Sequence, residues 1–393
     1  PGDAMHPLWT HLLSLPARQQ PHWPDPGHTD RVRADLAARP GLVEARDVAL
    51  LRHHLADVAA GRLLVLQAGD CAEDWAERTA AEVTRKAGLL HALAGVLCMR
   101  TGRPVLRVGR IAGQAAKPRS QPTECVAGIT LPAYRGHLVN SPEPDSVRRR
   151  PDPTRMLAGY RYAWTVMGHL GWPGAADRPG PEAPVWTSHE ALLLDYELAL
   201  LRTVDGRPLL SSTHWPWIGE RTRQPDGAHV ALLAAVENPV ACKVGPGCRP
   251  EDVLALCHRL DPHRQPGRLT LIARMGAAAV REALPPLVAA VRAAGHPVVW
   301  LCDPMHANTV RGPHGRKTRI VEAVMGEVAG FHAAVTEAGG VAGGLHLEAT
   351  PDDVTECVTA ATRPGDAQEK YTSLCDPRLN PQQALRVASA WPA

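Results

Sequence analysis

The chain has 393 residues, 45 % of them hydrophobic, and its 43 Lys and Arg against 40 Asp and Glu leave a formal net charge of +3. That length suits one large α/β barrel as a single domain over residues 1–393, and so small a charge excess argues against a protein that works on nucleic acid or a membrane surface. Nine cysteines, with no Cys-x-x-Cys pair, fit free thiols in a reducing, cytoplasmic compartment. No basic-then-apolar leader opens the sequence and no apolar run is long enough to span a bilayer.

In chain order, residues 1–60 carry two helical stretches, Asp30–Ala38 and Ala45–Ala59, expected to cap one end of the fold or serve an oligomer contact. Strand candidates follow at Leu63–Gln67 and Pro104–Val108. An excursion then runs from Arg119 to Arg207, with loop-like sequence at Ser141–Pro153 and Gly171–Pro184 and helical patterns at Thr154–Leu170 and His189–Arg202. It is too long for an ordinary strand-to-helix loop. The remaining strand candidates are Pro208–Ser212, Pro239–Val244, Leu269–Ala273, Pro297–Leu301, Gly343–Leu347 and Tyr371–Leu374. Helical patterns separate the later ones: Arg249–Leu260, Ala277–Ala294, Lys317–Ala338 and Pro351–Ala361, the last with Thr350 as N-cap and Asp352 and Asp353 in its first turn. Eight strands alternating with helices predict a closed parallel (β/α)8 TIM barrel, with an N-terminal helical extension (1–60) and an insertion between strands 2 and 3 (119–207).

Such a barrel places its site at the carboxyl ends of the strands. Cys71, His306, Glu348 and Asp376 each close an apolar run, and a thiolate, an imidazole and two carboxylates are a donor set for one divalent metal ion. Taken singly, a cysteine is most often a buried small hydrophobe and an Asp before Pro a turn former; four ligand types at four strand ends favour the metal. Asp70 and Asp303 also sit at strand ends and are rival ligands. Arg110, Lys243 and Arg274 end intervening strands, and Glu220 and Arg221 follow the third, so the metal is ringed by cations suited to a phosphorylated substrate. The segment from Gly109 to Ser120 puts Arg110, Lys117 and Arg119 with Ser120 in one glycine-containing loop able to wrap a phosphate. The bland reading of that loop is a solvated basic turn.

The motifs Gln67–Glu73, Gly109–Ser120, Leu131–Gly136, Arg150–Pro153, Thr187–Glu190, Gly219–Gln224, Asp303–Asn308 and Cys375–Asn380 together resemble the type II 3-deoxy-D-arabino-heptulosonate 7-phosphate (DAHP) synthases, from about Trp9 to about Arg386. The resemblance implies a (β/α)8 transferase at the entry of the shikimate pathway and of aromatic amino-acid biosynthesis. It would condense phosphoenolpyruvate with erythrose 4-phosphate and water, using a divalent metal such as Mn2+ or Co2+. Carried over residue by residue, it implies Cys71, His306, Glu348 and Asp376 as metal ligands and Arg110, Glu220, Arg221, Lys243 and Arg274 as phosphoenolpyruvate contacts. It implies Lys117, Pro118, Arg119 and Ser120 as the aldose-phosphate site. Arg110 and Lys243 would fix the reacting anion, and Glu220 or a metal-bound water would handle the protons of the attacking water. The short N-terminus and reduced second excursion resemble the short members of secondary metabolism. They predict loss of aromatic amino-acid feedback and an oligomer, a homodimer, smaller than the family tetramer. Two alternatives stay open: an aminoDAHP synthase using an amino-sugar phosphate, and a non-catalytic barrel partner. Finally, Cys71 and Cys375 close what are expected to be neighbouring strands, so the two thiols are candidates for a disulfide when metal is absent.

Overall fold

The computed structural model describes residues 8–126, 128–177, 183–312, 315–362 and 369–393; residues 178–182 of the expected Gly171–Pro184 loop lie outside this set. Eight parallel strands close into a barrel in sequential order: β1 (Leu64–Gly69), β2 (Val105–Arg110), β3 (Trp186–Glu190), β4 (Trp215–Ile218), β5 (Val240–Val244), β6 (Leu269–Ala273), β7 (Val299–Cys302) and β8 (Val341–Glu348), the last pairing with β1. Helices α1 (Leu8–Ser14), α2 (Pro26–Ala37) and α3 (Ala45–Ala59) precede the barrel. After β1 comes α4 (Ala80–Thr101), after β2 α5 (Thr154–Leu170), after β3 α6 (Leu194–Ala199) and after β4 α7 (Ala228–Ala235). Then α8 (Pro250–Leu260), α9 (Val280–Ala293), α10 (Val321–Glu337) and α11 (Pro381–Ser389) follow β5 to β8 in turn.

Strands such as β5 and β6 are buried along their whole length, because helices cover one face and the barrel interior the other. The helices turn an apolar stripe inward: α9 buries Val280, Leu284, Leu287, Val288 and Val291, at helical spacing. Helix α4 is started by a capping box in which Thr79 and Glu82 satisfy each other's backbone N–H. No described helix is long and apolar enough to cross a membrane.

The barrel differs from expectation at two strands and two helices. Pro208–Ser212 is not the third strand; Arg207–Leu210 pairs with Leu201–Val204 in a two-stranded hairpin outside the barrel. Its turn is Asp205-Gly206, both with positive φ (50° and 76°), the two-residue turn that matches strand twist. The third strand is Trp186–Glu190, inside the segment read as insertion and partly read as the helix His189–Arg202. The excursion between β2 and β3 therefore covers residues 111–185, and of the expected helix His189–Arg202 only Leu194–Ala199, beyond β3, is helical. No strand forms at Tyr371–Leu374, so Glu348 ends the eighth strand and Asp376 sits in the loop beyond it. Pro351–Ala361 is not a helix: the Thr350 hydroxyl accepts from Asp352 N–H at 3.2 Å in a local turn, and Val358 instead bridges to Ile320. In consequence Glu220 and Arg221 follow β4 rather than the third strand, Lys243 lies in β5, Arg274 follows β6 and His306 follows β7.

Register sets the level of the site. Gly69 of β1 is paired with Arg110 of β2 on one side and Glu348 of β8 on the other. Gly69 has φ +154°, and a Cβ there would lie 2.6 Å from the Arg110 carbonyl oxygen. Only glycine lets these two strands close up between the cation and the carboxylate.

Candidate active site

The carboxyl ends of β1, β7 and β8, with the loop beyond β8, bring the four expected ligands together. Ligating atoms of His306, Glu348 and Asp376 lie within 4.8 Å of one another, as do those of Cys71, Cys375 and Asp376. Cys71 Sγ donates to Asp376 Oδ2 at 3.4 Å, joining the two groups into one cluster. His306 Nδ1 is 2.7 Å from Asp303 Oδ2, and its Nε2 is 3.1 Å from Glu348 Oε1. A carboxylate holding one ring nitrogen while the other faces the ligand cluster is the arrangement metal-bound histidines use. That geometry separates the rival carboxylates. Asp303 braces His306 and accepts from Lys243 Nζ at 2.8 Å. Asp70 is tied to Lys86 and Arg378, each at 2.7 Å.

Electrostatics keeps the carboxylates of the cluster anionic. Burial alone would raise the Glu348 pKa, but His306, Arg319 and Arg110 outweigh it and hold it well below the usual carboxylate range. Arg110 Nη2 and Arg319 Nη1 grip its two oxygens at 2.9 and 2.6 Å. Asp376 is likewise burdened by burial and by Glu348; Lys117, Arg319 and Lys317 bring it down, Lys317 Nζ at 2.7 Å from Oδ1. Burial pushes the Cys71 thiol up. Burial also disfavours the charge on Lys117, but Cys71, Cys375, Glu348 and Asp376 outweigh it and keep the ammonium protonated.

Beside this cluster is a cavity of about 250 Å³ lined by Arg110, Lys117, Pro118, Glu220, Arg221, Lys243, Arg274, His306 and Asp376. Lys243 and Arg110 also lie over the Trp217 ring, 5.8 and 5.2 Å from its centroid. Burial and Arg110 lower the Lys243 pKa against the pull of Asp303. Arg274 makes no side-chain hydrogen bond or ion pair among the described residues. Glu220 Oε1 accepts from Arg223 at 2.9 Å, while its Oε2 is buried without a partner. Free polar groups around one small cavity mark a place built for a polar ligand. Arg119 and Ser120 do not line the cavity: Arg119 is paired with Glu124, and Ser120 accepts from Arg221 Nη2 at 2.8 Å.

The basic loop is held from behind by groups the sequence reading left aside. Buried Glu73 accepts the backbone N–H groups of Ala112, Gly113 and Gln114 at 2.8, 2.7 and 2.7 Å, and the Tyr162 hydroxyl at 3.0 Å. Lys117 N–H donates to Arg135 O at 2.8 Å, tying the loop to Leu131–Gly136. Gly136, at φ +94°, allows this approach, since a Cβ there would come within 2.1 Å of Ala115 O. Glu190, Gln114, Trp217 and Arg319 were also missed as site residues. Glu190 ends β3, lines the cavity and has an unpartnered buried Oε1. Its motif was visible, but its strand was read as helix.

A barrel with a ligand-type cluster at its carboxyl end, opening on a cationic cavity, defines an enzyme for phosphorylated small molecules. The profile of the class-II DAHP synthetase family matches residues 9–172 and 163–391, and the chain belongs to that family. It is 53 % identical to "Probable phospho-2-dehydro-3-deoxyheptonate aldolase" of Pseudomonas fluorescens over 394 residues, covering 99 % of this chain and 98 % of the relative. It is 39 % identical to "Phospho-2-dehydro-3-deoxyheptonate aldolase AroG" of Mycolicibacterium smegmatis over 441 residues, covering 98 % and 94 %. Among solved structures, a phospho-2-dehydro-3-deoxyheptonate aldolase from Francisella tularensis superposes with a TM-score of 0.57 at 13 % identity, covering 92 % of this chain and 94 % of that one. That likeness speaks for the fold alone.

Proposed function

We propose that the chain condenses phosphoenolpyruvate with erythrose 4-phosphate and water, giving DAHP and inorganic phosphate, the first step of the shikimate pathway. The observation that carries this reading is the juxtaposition of the ligand cluster with the cavity that Arg110, Lys243 and Arg274 line, in a chain of this family. The mixed thiol, imidazole and carboxylate donors suit a first-row divalent ion, Mn2+ or Co2+, held by Cys71, His306, Glu348 and Asp376. When bound, such an ion would polarise the aldehyde carbonyl of the sugar phosphate.

The protein's own groups do the rest. Arg110, Arg221, Lys243 and Arg274 hold the phosphoenolpyruvate anion, while Lys117, Pro118, Arg119 and Ser120 hold the aldose phosphate. Fixing both anions turns a two-substrate encounter into a positioned one. The C3 carbon of phosphoenolpyruvate attacks the aldehyde, water adds at C2 as positive charge develops there, and phosphate leaves by C–O cleavage. Glu220, with its unpartnered buried Oε2, takes the proton of that water. Arg119 must share or leave Glu124 to reach the sugar phosphate.

The chain works without aromatic amino-acid feedback and serves a secondary pathway. In support, the alignment with the Mycolicibacterium relative needs 441 positions where this chain has 393 residues, whereas the Pseudomonas relative aligns over 394. Phosphoenolpyruvate consumption, measured with erythrose 4-phosphate and with its amino-sugar counterpart, tests the reading. Turnover only with the amino sugar would replace it by an aminoDAHP synthase.

A further inference from the structure

His346 lies in mid-β8, one pleat below Glu348 and on the same face, and is fully buried. Its Nε2 is 2.6 Å from Arg110 Nη1, and its Nδ1 is 2.6 Å from Gln67 Oε1. An arginine can only donate, so His346 Nε2 must be the bare, accepting nitrogen and Nδ1 must carry the hydrogen. Every later direction is then set. His346 Nδ1–H donates to Gln67 Oε1, Gln67 Nε2 donates to Ser188 Oγ at 3.0 Å, and Ser188 donates to the Gly109 carbonyl at 3.0 Å. The chain runs across the barrel interior through β8, β1, β3 and β2 and returns to the residue before Arg110. The Trp217 ring meets His346 edge-on at 5.1 Å and lies under the Arg110 guanidinium.

We propose that His346 is a positioning residue for phosphoenolpyruvate: it fixes the rotation of the Arg110 guanidinium. With Nε held by the Asp70 carbonyl at 3.1 Å and Nη2 by Glu348 at 2.9 Å, Arg110 is anchored on two edges. The His346 acceptor occupies the third and leaves the remaining N–H groups for the cavity. Losing it would leave a buried N–H unpaired, or draw the guanidinium down to find a partner. The inference rests on the reading of Arg110 as a phosphoenolpyruvate contact.

The test compares His346→Gln, His346→Asn and His346→Leu. A glutamine places its amide oxygen near the Nε2 position, so it restores the acceptor for Arg110. Asparagine is polar but too short to accept from Arg110. We expect KM for phosphoenolpyruvate to rise about tenfold or more in the Leu and Asn variants, to stay near the unsubstituted value in the Gln variant, and KM for the aldose phosphate to hold in all three. Calorimetric binding of phosphoenolpyruvate should follow the same order. Equal KM and affinity across Gln, Asn and Leu, at equal thermal midpoints, would overturn the proposal; so would parallel losses for both substrates. A protein that binds phosphoenolpyruvate in this order but turns over neither sugar would instead remove the functional reading and leave the role of His346 standing.

Discussion

His306 turns Nε2 to within 3.1 Å of Glu348 Oε1 while Asp303 holds its Nδ1 at 2.7 Å. The imidazole is thus oriented before any ion arrives, and the carboxylate that orients it also accepts from Lys243. His306→Ala should abolish metal-supported activity. Asp303→Asn should keep the fold but weaken metal affinity roughly tenfold to a hundredfold. Metal titration of chelator-stripped protein, followed by restored activity, reads both. Unchanged affinity in Asp303→Asn would show that the bracing bond carries no weight.

The cations divide by substrate. Arg274 has no partner among the described residues, so Arg274→Ala leaves no protein carboxylate stranded and should act on phosphoenolpyruvate alone. Arg119→Ala should act on the aldose phosphate. Charge-assisted bonds to phosphate contribute roughly 1.5–3 kcal/mol, so each loss should raise the corresponding KM about tenfold to a hundredfold. Steady-state kinetics with each substrate varied in turn checks the assignment. Arg119→Ala with both KM values unchanged would remove the basic loop from substrate binding.

Glu327 supplies a pH dependence in the fold. It reaches from α10 to accept the backbone N–H groups of Met275 and Gly276 at 2.9 and 2.8 Å and the Asn308 amide at 2.6 Å, so it ties the loop bearing Arg274 to the loop bearing His306. Burial pushes its pKa up to about 7 from an ordinary 4.5, against the pull of the N–H donors. The folded state therefore holds the proton more tightly than the unfolded chain. Its stabilising contribution is complete below about pH 4.5 and is lost as pH rises through about 7. Glu327→Gln keeps an accepting oxygen and cannot ionise. Relative to the natural protein it should gain on the order of 2–3 kcal/mol between about pH 4.5 and about pH 8. Denaturant unfolding across that range measures this, and a constant difference between the two proteins would contradict it.

Much of this was legible in the chain, and the failures have physical causes. The runs at Leu63–Gln67, Pro239–Val244 and Leu269–Ala273 stand out because those strands are buried on both faces. Trp186–Glu190 did not, because Ser188 spends its hydroxyl on the Gly109 carbonyl inside the barrel and His189 its ring on Glu197 of α6, so the run looks like helix or loop in a linear reading. Trp215–Ile218 hides behind Pro216, which breaks the usual strand signal. Residues that carry reactive groups were visible by type. Glu73, Arg319 and Glu327 were not, because a lone buried carboxylate or guanidinium shows its task only once its partners, far off in sequence, are beside it.

Cys71 and Cys375 have their sulfur atoms within 4.8 Å, although Cys375 lies in a loop and not on a closing strand. Peroxide treatment of metal-free protein should link them, two thiols giving up two electrons to peroxide with release of two waters. Peptide mapping should find a Cys71–Cys375 cross-link that a thiol reductant reverses and that bound metal prevents. No cross-link in stripped protein would show that the loop holds the thiols apart.

Trp, Tyr and Phe, alone or combined at about millimolar concentration, should leave the rate unchanged, since inhibition needs a second site whose ligand distinguishes two states. Inhibition together with calorimetric binding that survives a filled active site would show that the chain carries an effector site.

The most direct measurement is phosphoenolpyruvate consumption with erythrose 4-phosphate by chelator-stripped protein, before and after Mn2+ or Co2+ is added back, beside Cys71→Ala treated the same way. Stripped protein should show no turnover, added metal should bring turnover and DAHP, and Cys71→Ala should recover little. Full turnover by stripped protein, or by Cys71→Ala without added metal, would show that the reaction does not depend on a metal held by this cluster.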